Sequence, residues 1–77
     1  MEASNVAVFP NPTTSRFTIE AEGLSHVTVF NTMGQKVYEM STQAESVDID
    51  LNVETGIYMV RVATANGEVT KRITVIR

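Results

Sequence analysis

Apolar and polar residues alternate along most of this chain, and that period of two is typical of strands that bury one face. The clearest run is Val-Asp-Ile-Asp-Leu at positions 47–51. The run from Ile57 to Ala63 begins apolar on both faces, which predicts a strand inside a sheet. Five more runs contain Val6 and Val8, Phe17 to Ala21, Val27 and Val29, Val37, and Val69 to Ile76. About seven short strands at this spacing predict an all-β, immunoglobulin-like sandwich of antiparallel strands.

Glycine and proline mark the turns between these runs. Asn66-Gly67 separates the last two runs and predicts a hairpin with a type I′ turn, which favours this dipeptide. In Phe9-Pro10-Asn11-Pro12, two prolines remove backbone donors and restrict the residues before them. This segment therefore predicts a stiff corner that ends the first strand. The other turn glycines are Gly23, Gly34 and Gly56.

The length of the chain allows one small domain with a marginal core. The 77 residues include no cysteine, so packing alone must stabilise the fold. We expect residues 1–5 to be a linker or a cloning remnant and residues 6–77 to be the domain. No apolar stretch approaches the ~18 residues that a transmembrane helix needs.

Charge is distributed unevenly along the chain. Residues 1–60 hold eight acidic and two basic side chains, whereas residues 61–77 hold four basic side chains and one acidic side chain. Four cations on a mostly acidic domain do not provide the broad basic face that nucleic acid requires. We therefore expect no nucleic-acid partner.

Side chains that could support catalysis or bind a metal are few. His26 is the only histidine, and Ser25 beside it points to the opposite face of a strand, so the two do not form a nucleophile and base pair. Asp48 and Asp50 share a strand face, but calcium takes about six to eight ligands, so a solvated face is the favoured interpretation. The lone turn glycines do not form a phosphate-binding loop. We expect no catalytic residue, cofactor or metal.

Other predictions concern single side chains. Met40 and Met59 are predicted to fill gaps in the core, and Met33 is predicted to lie in a turn. Tyr58 is predicted to be a core ring whose hydroxyl needs a hydrogen-bond partner. Arg61 alternates with apolar residues, so it must lie at a sheet margin, pair with a carboxylate or face a partner.

Four blocks occur in the order typical of one family of bacterial secretion signals. The first block is the PNP motif in Val8-Phe9-Pro10-Asn11-Pro12, and the last is a lysine-bearing strand after Gly67. Between them, residues 27–37 are similar to the pattern VxVxDxxGRxV, and residues 50–62 are similar to the pattern DLSxLxxGxYxVRV. The chain thus resembles the type A C-terminal sorting domain of cargo for the type IX secretion system. Asn31 and Gln35 depart from the pattern, where the family often has Asp and Arg. The motif residues expected to be mainly structural are Pro10, Asn11, Pro12, Gly34, Gly56, Tyr58 and Gly67.

This resemblance implies a sorting signal and not an enzyme. The domain would fold in the periplasm, be recognised by the outer-membrane translocon, and be removed by a sortase-like peptidase as its N-terminal cargo reaches the cell surface or the exterior. The last strand, Val69 to Arg77, would offer an edge for strand addition. The alternative is that its charges only protect that edge from aggregation. The residues expected to contact the translocon or sortase are Arg61, Lys71, Arg72, Ile73, Val75 and Arg77.

Two other functions compete with the sorting signal. A carbohydrate-binding or adhesive module of a secreted protein is the alternative, although the chain has no tryptophan and only Tyr38 and Tyr58 could stack on a sugar. The second competing function is that of an inert spacer between domains. Unpaired sheet edges also leave open dimerisation by strand exchange.

Overall fold

A computed structural model of the chain describes residues 6–10 and 12–76. The predictions for residues 1–5, Asn11 and Arg77 lie outside these residues. The described part contains no helix that is long and apolar enough to cross a membrane. It contains the seven strands β1 (Val6–Phe9), β2 (Arg16–Ala21), β3 (Leu24–Asn31), β4 (Lys36–Ser41), β5 (Ser46–Asp50), β6 (Gly56–Thr64) and β7 (Gly67–Val75).

The strands form two antiparallel sheets. One sheet has the order β1-β2-β5, and the other has the order β4-β3-β6-β7. The prediction of an all-β, immunoglobulin-like sandwich is therefore confirmed. The prediction that β6 lies inside a sheet is also confirmed, because β6 pairs with β3 on one side and with β7 on the other.

The core lies between the two sheets and is built from alternate residues of each strand. Because successive side chains of a strand point to opposite faces, each strand gives the core every second residue. Phe17 is in register with Ile49 in the smaller sheet, and Val29 is in register with Val60 in the larger sheet. The largest fully buried side chains are Phe17, Ile19, Val27, Val29, Ile49, Leu51, Val60, Val62, Ile73 and Val75.

The pairing of β4 with β3 leaves Val37 outside the core. The register between β3 and β4 shifts after Val29, so that Val29 pairs with Tyr38 but Phe30 pairs with Lys36. The irregularity skips Val37, whose side chain is 37% exposed. Tyr38 and Met40 pack against the core instead, which confirms the prediction for Met40.

The hairpin between β6 and β7 is confirmed, but its predicted turn type is wrong. Thr64 pairs with Gly67, so the turn residues are Ala65 and Asn66. A type I′ turn needs positive φ at both central residues, and no non-glycine residue in the described ranges has positive φ. Gly67, directly after the turn, has φ of +127°. The Ala65 N–H donates to Gly23 O at 3.0 Å and so holds the hairpin against the β2–β3 turn.

A short connection after the proline corner ties the first strands to the last one. β1 ends at Phe9, before Pro10, as predicted. Thr13 then forms a parallel bridge with Val75 of the other sheet. The Thr13 N–H donates to Thr74 O at 2.9 Å, and the Ile76 N–H donates to Thr13 O at 2.8 Å. The segment that contains Pro10 and Pro12 thus leads to the contact that closes one end of the sandwich.

Tyr58 is a buried ring with a satisfied hydroxyl, as the sequence predicts. It lies near the start of β6, and its hydroxyl donates to the backbone oxygen of Glu54, four residues earlier, at 2.7 Å. Immunoglobulin-like sandwiches use this arrangement, the tyrosine corner, to fix the connection that enters the sixth strand. Here it holds the connection between β5 and β6 against the core.

The tyrosine corner leads to a stability prediction. We expect Tyr58→Phe to lower the free energy of unfolding by about 1–3 kcal/mol, because it leaves Glu54 O without its partly buried donor. Tyr38→Phe is the matched control, since among the described residues the Tyr38 hydroxyl bonds only to the weak acceptor Met40 Sδ, at 3.7 Å. Urea denaturation of both variants measures the two losses. Equal losses would contradict a special role for the corner.

Candidate recognition site

The basic side chains of the last hairpin lie on two different surfaces. β7 is an edge strand, and its register with β6 pairs Met59 with Arg72 and Val60 with Lys71. Neighbouring residues of a strand point to opposite faces, and Val60 belongs to the core. Lys71 therefore lies on the core-side face of the sheet, at its exposed edge, and Arg72 lies on the outer face.

The structure places Ile73 and Val75 in the core. Both side chains are 0% exposed, because they share the phase of the core-facing residues of β6. Both side chains are therefore buried in the folded domain, and their role in recognition stays a prediction. Arg77 lies outside the described residues. Arg61, Lys71 and Arg72 are the exposed cations that remain from the predicted set.

Arg61 lies on the outer face in the middle of the larger sheet. It pairs in register with Thr28 of β3 and with Thr70 of β7. Its guanidinium carbon is 5.5 Å from the centroid of the Phe30 ring, within the range of a cation–π contact. Among the described residues no carboxylate forms an ion pair with it. Arg61 is thus not at a sheet margin, and its charge faces outward over an aromatic ring.

A shallow groove surrounds this contact on the outer face. Its floor includes Phe30 and Met59, which pair across β3 and β6. The prediction that Met59 fills the core is wrong, because Met59 has the opposite phase to Tyr58 and Val60 and is only half-buried. The groove is also lined by Asn31, Thr32, Gly34, Arg61 and Thr70.

The turn beside the groove contains both departures from the family pattern. The Asn31 side-chain oxygen accepts hydrogen bonds from the N–H groups of Met33 and Gln35, at 2.9 and 3.0 Å. Its amide nitrogen donates to Gln35 Oε1 at 3.0 Å. The amide pair thus occupies the two positions where the family often has an acid and a base. Met33 is 80% exposed in this turn, as predicted.

A polar network on β3 and β4 was not predicted from the sequence. The His26 ring contacts Ser41 Oγ through Nδ1 at 3.0 Å and Glu39 Oε2 through Nε2 at 2.8 Å. Lys36 Nζ lies 2.6 Å from Glu39 Oε1, and the hydrogen bonds from Lys36 and then His26 lower the pKa of the Glu39 carboxyl. Ser25 does not join, since its hydroxyl donates to Ala63 O. All of these groups lie on an open sheet face, where they order surface charge.

The outer face of the smaller sheet is acidic. Asp48 accepts a hydrogen bond from the Thr18 hydroxyl at 2.6 Å, and Asp50 lies 3.6 Å from Arg16. These contacts belong to neighbouring strands of one exposed face, the solvated surface that the sequence favours for the two aspartates. The exposed cations Arg61 and Arg72 therefore lie on the opposite side of the sandwich from this acidic face.

Comparison with known proteins identifies the family. The family described as the secretion system C-terminal sorting domain matches residues 7–76. The chain is 41% identical over 69 residues to the ulvan lyase NLR42 of Nonlabens ulvanivorans, covering 84% of this chain and 13% of the lyase. It is 29% identical over 68 residues to an endo-acting ulvan lyase of Formosa agariphila, covering 83% of this chain and again 13% of the lyase.

A solved structure with the same fold belongs to a component of the type IX secretion system. The structure of PorZ, described as an essential bacterial surface component of the type IX secretion system of Porphyromonas gingivalis, matches with a TM-score of 0.76 and 26% identity. The match covers 95% of this chain and 12% of PorZ. The chain therefore belongs to the secretion system C-terminal sorting domains and is a sorting signal for type IX secretion.

Proposed function

We propose that the translocon of the type IX system recognises this domain through the exposed cations of the β6–β7 hairpin. The observation that carries this proposal is that Arg61 and Arg72 lie exposed on the outer face of the larger sheet and Lys71 lies at its edge, whereas Glu20, Asp48 and Asp50 lie on the outer face of the smaller sheet. Separation of charge in this way steers an anionic partner to one side of the molecule. Arg77, outside the described residues, belongs to the same proposal.

The proposal includes the fate of the parent protein. The domain follows an N-terminal cargo domain, folds in the periplasm and directs the cargo to the outer-membrane translocon. A sortase-like peptidase then removes it as the cargo reaches the surface or the exterior. The domain itself takes part as substrate and signal without catalysing a reaction. The family match and the similarity to PorZ support this sequence of events.

Charge substitution tests the recognition step without removing the strand. A periplasmically targeted reporter fused to residues 1–77 is expressed in a bacterium with type IX secretion. We expect the triple variant Arg61→Gln, Lys71→Gln, Arg72→Gln to reduce surface delivery by at least about tenfold, the effect of losing about 1.4 kcal/mol of binding. The double variant Arg16→Gln, Lys36→Gln is the control, because it removes the two cations that precede the hairpin.

Folding must be measured beside export. Each domain is purified and its thermal unfolding recorded, since a variant that unfolds cannot report on recognition. Normal delivery of a folded triple variant would contradict the proposal. So would an equal loss of delivery in the double variant, because general charge and not the hairpin would then be recognised.

A further inference from the structure

Lys71 is an unusual residue for its position on β7. The core-side face of this strand carries Val69, Lys71, Ile73 and Val75, and Lys71 is the only charged member. It is in register with Val60, which is fully buried, yet its own side chain is exposed, whereas Ile73 and Val75 on the same face of this edge strand are fully buried. No described carboxylate forms an ion pair with it.

The free edge of β7, which faces away from β6, can accept another strand along part of its length. On that side, among the described residues, only Thr13 pairs with β7, at Val75. Thr13 bonds to Thr74 O and to Ile76 N, so the backbone groups of Thr74 and Ile76 point away from β6. This direction alternates along a strand, so the backbone groups of Thr70 also point away from β6. The backbone groups of Lys71 therefore point toward β6.

This geometry determines what an added strand would place beside Lys71. In an added antiparallel strand, the residue opposite Lys71 would form a non-hydrogen-bonded pair, in which the Cα atoms are about 4.5 Å apart and the side chains are closest. The Lys71 ammonium group would then lie beside the side chain of that residue, where a carboxylate is favourable and a second positive charge is unfavourable.

We propose that Lys71 selects the strand that β7 accepts: an extended segment of a partner protein with an Asp or Glu opposite Lys71. This rests on the proposed recognition of the hairpin and names the chemistry of the partner. The same chemistry disfavours pairing of two copies through this edge, because residues 67–75 of a second copy place only glycine, valine, isoleucine and lysine on the core-side face and so supply no carboxylate to Lys71.

Model peptides test this selectivity. Two peptides of about nine residues, a usual strand length, alternate valine and threonine and differ only at the centre, where one has aspartate and the other lysine. Each is titrated into the isotope-labelled domain while its amide NMR signals are followed. We expect the aspartate peptide to bind about tenfold more tightly to the natural domain and the lysine peptide to bind more tightly to Lys71→Glu.

Arg72→Glu is the matched control, because Arg72 is adjacent on β7 but lies on the outer face. It should keep the preference for aspartate. The proposal is overturned if neither peptide binds, if Lys71→Glu leaves the preference unchanged, or if the shifted amides lie away from residues 67–73. These results do not depend on export, so a failure here is distinguishable from a failure of hairpin recognition in the reporter assay.

Discussion

Removal of residues 71–77 is expected to unfold the domain. The deleted segment contains Ile73 and Val75, both fully buried, and it contains the backbone groups that bond to Thr13. Loss of two such side chains costs about 4–10 kcal/mol, from about 2–5 kcal/mol for each large-to-small change in a core. A domain of this length has a total stability of only about 4–12 kcal/mol. The deletion therefore removes most or all of the stability.

Circular dichroism during heating measures this result. The truncated domain should show no cooperative transition, whereas the full-length variant Lys71→Gln, Arg72→Gln should unfold cooperatively near the temperature of the natural domain. A truncated domain that retained its transition would contradict the assigned core role of the strand. If the prediction holds, failed export of a tail deletion says nothing about recognition, and substitutions at exposed cations are required instead.

Phe17→Ala is expected to have the largest effect of any single substitution proposed for this domain. Phe17 is 1% exposed in β2 and is in register with the fully buried Ile49. Truncation of a buried phenylalanine to alanine costs about 3–5 kcal/mol, since it removes transfer free energy and leaves a cavity. For a domain of this size, each kcal/mol lowers the unfolding temperature by about 4–8 °C.

Phe9→Ala is the matched control for this prediction. Phe9 is 44% exposed and has the outward phase of β1, so the same truncation should cost less than about 1 kcal/mol. Guanidinium denaturation of the two variants gives both free energies. Similar losses would show that the outer surface of β1 is buried in solution, contrary to the structure.

Much of the fold follows from the sequence because it depends on local alternation. The pattern in 47–51 identifies β5, and the two apolar faces at the start of β6 place that strand inside a sheet. Asn66-Gly67 locates the last hairpin but not its turn type, since the register with β6 pairs Gly67 itself with Thr64. The family follows from four blocks whose order is a property of the chain alone.

The faces of individual side chains depended on tertiary structure. The register shift between β3 and β4 turned Val37 outward and Tyr38 and Met40 inward, and a one-residue change of this kind reverses the face of every later side chain. The approach of Arg61 to Phe30 required two strands that lie far apart in the chain to pair.

The sequence by itself thus determined the strands, the class of fold, the family and the basic character of the last hairpin. Only the tertiary structure decided that Ile73 and Val75 are core residues, that Arg72 lies on the outer face, and that Lys71 stands alone at the core-side edge. The physical reason is that alternation fixes which residues of one strand share a face. Pairing with neighbouring strands and packing between the sheets decide which face is buried and where an edge remains exposed.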